Sequence, residues 1–209
     1  MIYNFCYSSG DRQNVINYLK DNKKNRVLDI GYSANSWDTE YVTHYVDVIK
    51  SDETKIGFLG DINFPYIWEE VAKDVEVNGK FDFCICSHTL EDIINPLYVS
   101  QMINKFCLSG FIAVPSKFIE MTRWVDGQYR GYIHHRYIFN YENNKFVGYP
   151  KLNFIDYDTR FDTLENQLTA DNRELQFFWQ DEFDLEIINN NYMGPNVNAV
   201  LNYYNSLLK

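Results

Sequence analysis

Along the first half of the chain, acidic and hydroxyl side chains recur directly after short apolar runs. Asp29 and Gly31 close Val27-Leu28-Asp29-Ile30-Gly31, and Asp47 closes Tyr45-Val46. Asp61 and Ile62 follow Ile56-Gly57-Phe58-Leu59-Gly60, and Ser87-His88 follow the run from Phe81 to Cys86. Carboxylates in such places can accept the hydroxyls of a sugar, and an imidazole can take or give a proton near neutral pH. A second group lies further on, in Tyr129-Arg130-Gly131-Tyr132-Ile133-His134-His135-Arg136-Tyr137, which holds two of the four histidines. Read as a strand, this run points His134 and His135 to opposite faces, so only one can serve a given cleft as a base. The same spacing is poor for chelating a metal, and no metal site is expected. Arg136 could clamp a substrate carboxylate or phosphate. His44 carries no comparable signal.

The elements that would position these groups alternate in type. Ser8-Ser9-Gly10-Asp11 precedes Val15, Ile16 and Leu19, which share one helical face, and predicts a capped first helix. Strands are expected at Val27–Gly31, Tyr45–Val48, Ile56–Leu59, Phe81–Cys86 and Phe111–Val114. A helix starts at Pro65, a favoured first-turn residue, with Ile67, Trp68 and Val71 inward. Asn95-Pro96 caps another, carrying Val99, Met102, Ile103 and Phe106 at helical spacing. Glu91 and Asp92 could pair with His88, but they are placed at a helix start, where the macrodipole favours acidic groups. Beyond Pro115 the pattern changes: Tyr137–Tyr141 and Phe146–Tyr149 flank a turn as a hairpin, Leu175–Trp179 and Phe183–Ile188 read as strands, and Val197–Leu208 reads as a helix.

Alternating strands and helices imply a three-layer α/β sandwich around a mostly parallel, Rossmann-like sheet. One domain is expected over residues 1–209, with a core at about 25–115 and a β-rich lid or extension at about 116–209. The 45% hydrophobic and 23% charged content suits a soluble globular protein, and a cytoplasmic location is expected. With 17% aromatic residues, some tyrosine and phenylalanine rings are expected on surfaces or along clefts. A net charge of −10 argues against nucleic-acid binding, and no apolar stretch is long enough to enter a membrane. The densest basic cluster, Lys20 to Arg26, reads as a solvated helix end. Cys6, Cys84, Cys86 and Cys107 show no CxxC pairing; Cys84 and Cys86 read as small hydrophobes on one strand face.

The run Val27–Gly31, then Asp47, Gly60-Asp61, and Ser87-His88-Thr89-Leu90-Glu91-Asp92 after the fourth strand, resembles class I S-adenosylmethionine-dependent methyltransferases. It is most similar to small methyltransferase-like proteins whose fourth strand runs into Ser-His-x-Leu-Glu. The resemblance covers about 90 residues, and Ser109-Gly110-Phe111-Ile112 resembles the turn into the family's fifth strand. It implies that Gly31 lets the cofactor's methionine end approach the backbone, that Asp29 lies in the same binding strand, and that Asp47 holds the ribose. Asp61 and Ile62 would border the adenine, while Ser87 and His88 would flank the sulfonium. It implies methyl transfer to a small-molecule or glycan-type acceptor, with His88, His134 or His135 taking the proton. The chain departs from the family in its first loop, where Tyr32-Ser33-Ala34-Asn35-Ser36 stands in place of further glycines. That departure favours the alternative of a non-catalytic methyltransferase-like binding module. A nicotinamide-dependent oxidoreductase is less favoured, because no GxGxxG follows the first strand.

Overall fold

The computed structural model describes residues 1–123, 125, 127–188 and 197–209. These residues form two compact units. The first comprises Met1–Phe5, Asp11–Ala113 and Phe177–Phe183, and the second Cys6–Gly10, Val114–Gln176 and Asp184–Lys209.

The central feature is a seven-stranded sheet. Its strands are β1 (Ile2–Ser8), β2 (Val27–Ile30), β3 (His44–Asp47), β4 (Ile56–Leu59), β5 (Phe83–Ser87), β6 (Ser109–Pro115) and β9 (Glu174–Gln180), in the order β1-β9-β6-β5-β2-β3-β4. β2 pairs in parallel with both β3 and β5, β3 with β4, and β5 with β6. Counted from β2, the stretch β4-β3-β2-β5-β6 reads 3-2-1-4-5, the doubly wound order in which the chain reverses direction beside its first strand. The fold is thus α/β and Rossmann-like, as expected.

Side-chain alternation sorts the strands into two faces. Val27, Tyr45, Phe83, Ile85, Phe111 and Ala113 form one apolar cluster with Val15 and Leu19 of α1 (Gln13–Asp21). On the opposite face, His44 lies 3.9 Å from Asp74 of α2 (Pro65–Asn78) and stacks on Phe58. Trp68 of α2 stacks on Phe106 of α3 (Pro96–Phe106), so α2 and α3 pack together there. Pro65 starts α2, and the Asn95 side chain accepts the Tyr98 N–H to cap α3, both as expected. Between β2 and β3 the chain makes only turns, which agrees with the short crossover. Burial pushes the Cys84 and Cys86 thiols far up, in keeping with their reading as core hydrophobes.

β1 was not anticipated. Its residues are partly exposed on both sides, so it carries no clean alternation. Ser8 accordingly ends β1 rather than capping α1; Asp11 Oδ1 instead accepts the Gln13 N–H at 2.9 Å. No helix among the described residues is long and apolar enough to cross a membrane.

The second unit holds the short helix α4 (Lys117–Glu120), a three-stranded sheet and the helix α5 (Val197–Ser206). β7 (Tyr137–Glu142) and β8 (Lys145–Pro150) form the expected hairpin, and β10 (Leu185–Ile187) adds in parallel to β8. The two turn residues, Asn143 and Asn144, have φ of 51° and 61°, as a type I′ hairpin demands. Ile138, Val147, Ile155 and Phe161 form a second core with Tyr203 and Tyr204 of α5. Having two cores explains how most of the aromatic excess is buried. Tyr66 and Tyr157 are among the rings left exposed.

His134 and His135 lie in a turn ahead of β7, not in a strand, so the opposite-faces rule does not apply to them. The His135 N–H bonds back to the Tyr132 carbonyl, and the two imidazole centroids are 4.5 Å apart. Glu91 and Asp92 also sit in a turn, well before α3 begins at Pro96, and the helix-dipole role assigned to them is withdrawn.

Candidate functional site

Strand register brings the expected residues of the first unit to one edge. Ile30 is level with both Val46 and Cys86, so Gly31, Asp47 and Ser87 each stand one residue further along three adjacent parallel strands. Asp29, Asp47 and Ser87 continue the alternation of Val27, Tyr45 and Ile85, which puts them on the α1 face. Two strand spacings separate Asp47 from Ser87, about 10 Å, with Gly31 between them. This is the switch point of the sheet, where open α/β folds leave a crevice beyond the carboxyl ends.

Gly31 is held by its own surroundings. Its φ is +83°, and a Cβ there would lie 2.4 Å from Thr89 Oγ1, which itself donates to the Ile30 carbonyl at 2.9 Å. After Gly31 the loop turns its first large side chain inward. Tyr32 packs on Tyr45 and donates to Asp52 Oδ2 at 3.1 Å. Lys55 Nζ then fastens the loop by donating to the carbonyls of Thr39 and Val42 at 2.7 and 2.8 Å.

Beneath this loop two carboxyl groups are buried together. Asp29 and Asp38 are 4% and 1% exposed. Burial, then the charge of Asp38, raises the Asp29 pKa well above its ordinary value, which favours its neutral form. Burial raises Asp38 as well, opposed by hydrogen bonds and by the Lys55 charge. Asp47 uses Oδ1 to accept the Ile49 N–H at 2.8 Å. Asp61 Oδ1 accepts both the backbone and side-chain N–H of Asn63, and Asn63 Oδ1 accepts the Asn95 N–H at 2.9 Å. That chain of bonds ties the loop after β4 to the start of α3. Ile62 is nearly buried beside it, and its carbonyl accepts from Trp68 Nε1.

At the other side of Gly31, Ser87 Oγ accepts from Arg12 Nη2 at 3.2 Å. His88 follows with φ of 54°, a left-handed conformation uncommon for a residue with a side chain and typical of places where geometry serves a ligand. Its Nδ1 lies 3.3 Å from Glu91 Oε1; the imidazole is 43% exposed and the carboxylate 1%. The Glu91 carboxylate thus lies within ion-pair distance of the ring.

His134 and His135 belong to the second unit. There His135 Nδ1 is 2.5 Å from Glu120 Oε1, and Lys151 Nζ is 2.7 Å from Glu120 Oε2. Gly131, with φ of 58°, packs so tightly on Glu120 that a Cβ would meet its carboxylate at 2.5 Å. This buried trio anchors the segment before β7. Arg136 is exposed, and its carbonyl accepts the Lys151 N–H.

Arg12 and Asp38 escaped sequence reasoning, and the pairing of Glu91 with His88 was legible there only as the less favoured reading beside a helix-dipole role. Arg12 lies ahead of α1, Asp38 lies in a turn with no periodicity, and a helix start was expected at Glu91. The Ser-His-x-Leu-Glu spacing was the available signal for Glu91, because a turn brings residues three apart together.

No protein-family model matches the chain, and no curated protein matches it. Among solved structures, the N-terminal domain of EvdMO1 with SAH bound is similar at a TM-score of 0.42 and 12% identity, covering 83% of this chain and 82% of that one. The same domain in the presence of SAH and D-fucose gives 0.41 and 11%, with coverage of 80% and 81%. A cyclopropane-fatty-acyl-phospholipid synthase-like protein from Lactobacillus casei gives 0.40 and 8%, with coverage of 84% and 96%. Likenesses this remote add nothing to what the order of the sheet already shows.

Proposed function

We propose that the first unit binds S-adenosylmethionine at the carboxyl edge of β3, β2 and β5 and transfers its methyl group to a small-molecule or glycan-type acceptor. The observation that supports this most is the level placement of Asp47, Gly31 and Ser87 across the switch point. It sets an acceptor carboxylate on one side of a floor without a side chain and a hydroxyl with a histidine on the other. The donor set suits the cofactor. Asp47 would accept the ribose hydroxyls, Asp61 and Ile62 would border the adenine, and Asp29 would stay protonated beneath the floor. Bound there, the cofactor supplies an electrophilic methyl group on its sulfonium. The chain's part is to position the acceptor and receive its proton, and His88, oriented by Glu91, is the group suited to that.

One observation favours a second reading, a binding module without catalysis. The loop after Gly31 is built from side chains packed inward and clamped by Lys55, not from glycines that let a ligand approach.

The test is calorimetric titration with S-adenosylmethionine and S-adenosylhomocysteine, with NAD as control. Saturable binding of the first two alone is expected, and Asp47→Ala should weaken it by about 1.5–3 kcal/mol, the scale of hydrogen bonds to a charged group. Absence of binding, or equal binding of NAD, would remove the cofactor assignment. Methyl transfer by a chain that binds would decide against the second reading.

A further inference from the structure

The second unit holds a pocket of about 270 Å³ that the proposed function does not use. Three segments wall it. Lys117, Phe118 and Met121 come from α4 and the residue after it, Leu164 from the 3-10 turns over Thr159–Gln167, and Leu207 and Lys209 from the residues after α5. Met121 and Leu164 are buried members of the second core, and Leu207 packs against that core, so this part of the wall is apolar. Lys117 stands one turn before Met121, whose N–H bonds to the Lys117 carbonyl. The Lys117 ammonium lies 5.5 Å from the centre of the Phe118 ring. No described Asp or Glu lines the pocket, although the chain carries a net charge of −10.

Lys117 is half-buried and short of a counter-charge. Burial pulls its pKa down, and the charge of Glu142 opposes that only in part. Glu142 is itself engaged: Oε1 accepts from the Tyr149 hydroxyl, and Oε2 accepts from Asn140 Nδ2 at 3.4 Å. Lys117 forms no ion pair among the described residues. An ammonium partly withdrawn from water gains more from an anion than one in open solvent does. We propose that this pocket binds a small apolar monocarboxylate, its chain against Met121, Leu164 and Leu207 and its head group on the Lys117 ammonium. An apolar wall with one placed charge is the usual make-up of a small-molecule site. The site is separate from the crevice of the first unit and does not rest on the S-adenosylmethionine reading.

Octanoate is the probe, with octanol and octylammonium as controls, titrated calorimetrically into the full chain below micellar concentrations. Octanoate should bind about tenfold more tightly than octanol, the scale of one charge-assisted hydrogen bond, and octylammonium should not bind. From butanoate to octanoate, affinity should rise by about fourfold per methylene while the pocket fills. Lys117→Met, which keeps an unbranched apolar stem, should bring octanoate down to the affinity of octanol and leave octanol within about twofold. Lys117→Arg should keep the preference for the carboxylate. Leu207→Trp, which fills the pocket, should abolish binding of both, and it tests the site even if Lys117→Met does not fold. Equal binding of octanoate and octanol, or no binding of octanoate, would overturn the proposal. So would a preference that survives Lys117→Met, or octanoate binding that survives Leu207→Trp.

Discussion

Replacing Gly31 by alanine tests whether the floor of the crevice is shaped by the protein itself. Two costs follow from the structure. At φ +83° an L-residue loses about 1–2 kcal/mol, the usual penalty for left-handed backbone. The new Cβ would also lie 2.4 Å from Thr89 Oγ1, so Thr89 must move and give up its bond to the Ile30 carbonyl. Overpacking of this kind costs about 1–3 kcal/mol. Gly31→Ala should therefore lower unfolding free energy by about 2–5 kcal/mol. The two costs separate in a double-mutant cycle. With Thr89→Ala the clashing oxygen is gone, and the nearest remaining Thr89 atom is its Cβ at 3.4 Å, an ordinary contact. Adding Gly31→Ala to that background should cost only the backbone share, giving a coupling of about 1–3 kcal/mol. Urea unfolding of the four proteins measures it. Equal costs in both backgrounds would refute the reasoning, since Thr89 would then not be what crowds the glycine.

The buried Asp29–Asp38 pair makes stability depend on pH. A carboxyl whose pKa is raised on folding binds more protons in the folded state, so stability falls as pH rises above the ordinary carboxylate range and through the folded pKa. Asp29→Asn should raise the neutral-pH melting temperature and flatten that decline; an unchanged melting profile from pH 4 to 8 would count against the raised Asp29 pKa. His88→Gln should cut methyl transfer about 10²-fold or more while leaving S-adenosylhomocysteine affinity within about twofold, measured by turnover and calorimetry together. Full activity would exclude His88 as the base. In the second unit, Asn144→Gly should stabilise the β7–β8 hairpin by up to about 1 kcal/mol, because glycine adopts φ of 61° without strain; a loss of stability on urea unfolding would show that the Asn144 side chain contributes there.

Much of the first unit was legible because its signals are local. β2, β5 and β6 are nearly unbroken apolar runs, as strands covered on both faces must be, and Pro65 and Asn95 mark helix starts by chemistry confined to one turn. The strand-end residues could be aligned because parallel neighbours in a doubly wound sheet end at the same edge. What could not be read depends on distant partners. β1 takes its place from β9, about 170 residues later, and nothing in Ile2–Ser8 announces that neighbour. Arg12 meets Trp37, Ser87 and Phe111, which no periodicity connects to it. The His134-His135 segment failed for another reason. Its aromatic residues suggest a strand, but the positive φ at Gly131 and the Glu120–His135 contact make a turn the stable form.

The position of β1 also bears on how the protein is made. In the sheet, β9 lies between β1 and β6, and the Gln180 N–H bonds to the Met1 carbonyl, so β1 is paired by residues about 170 positions further along. On the ribosome, β2 to β6 can assemble as soon as they emerge, whereas Ile2–Ser8 must wait until β9 has been synthesised. At about 5–20 residues per second, the roughly 170 residues between β1 and β9 leave the first strand without its neighbour for on the order of ten seconds or more. Through that interval the outer edge of β6 also lacks its neighbour, and it is the side on which a nascent chain is most open to pairing with the wrong partner.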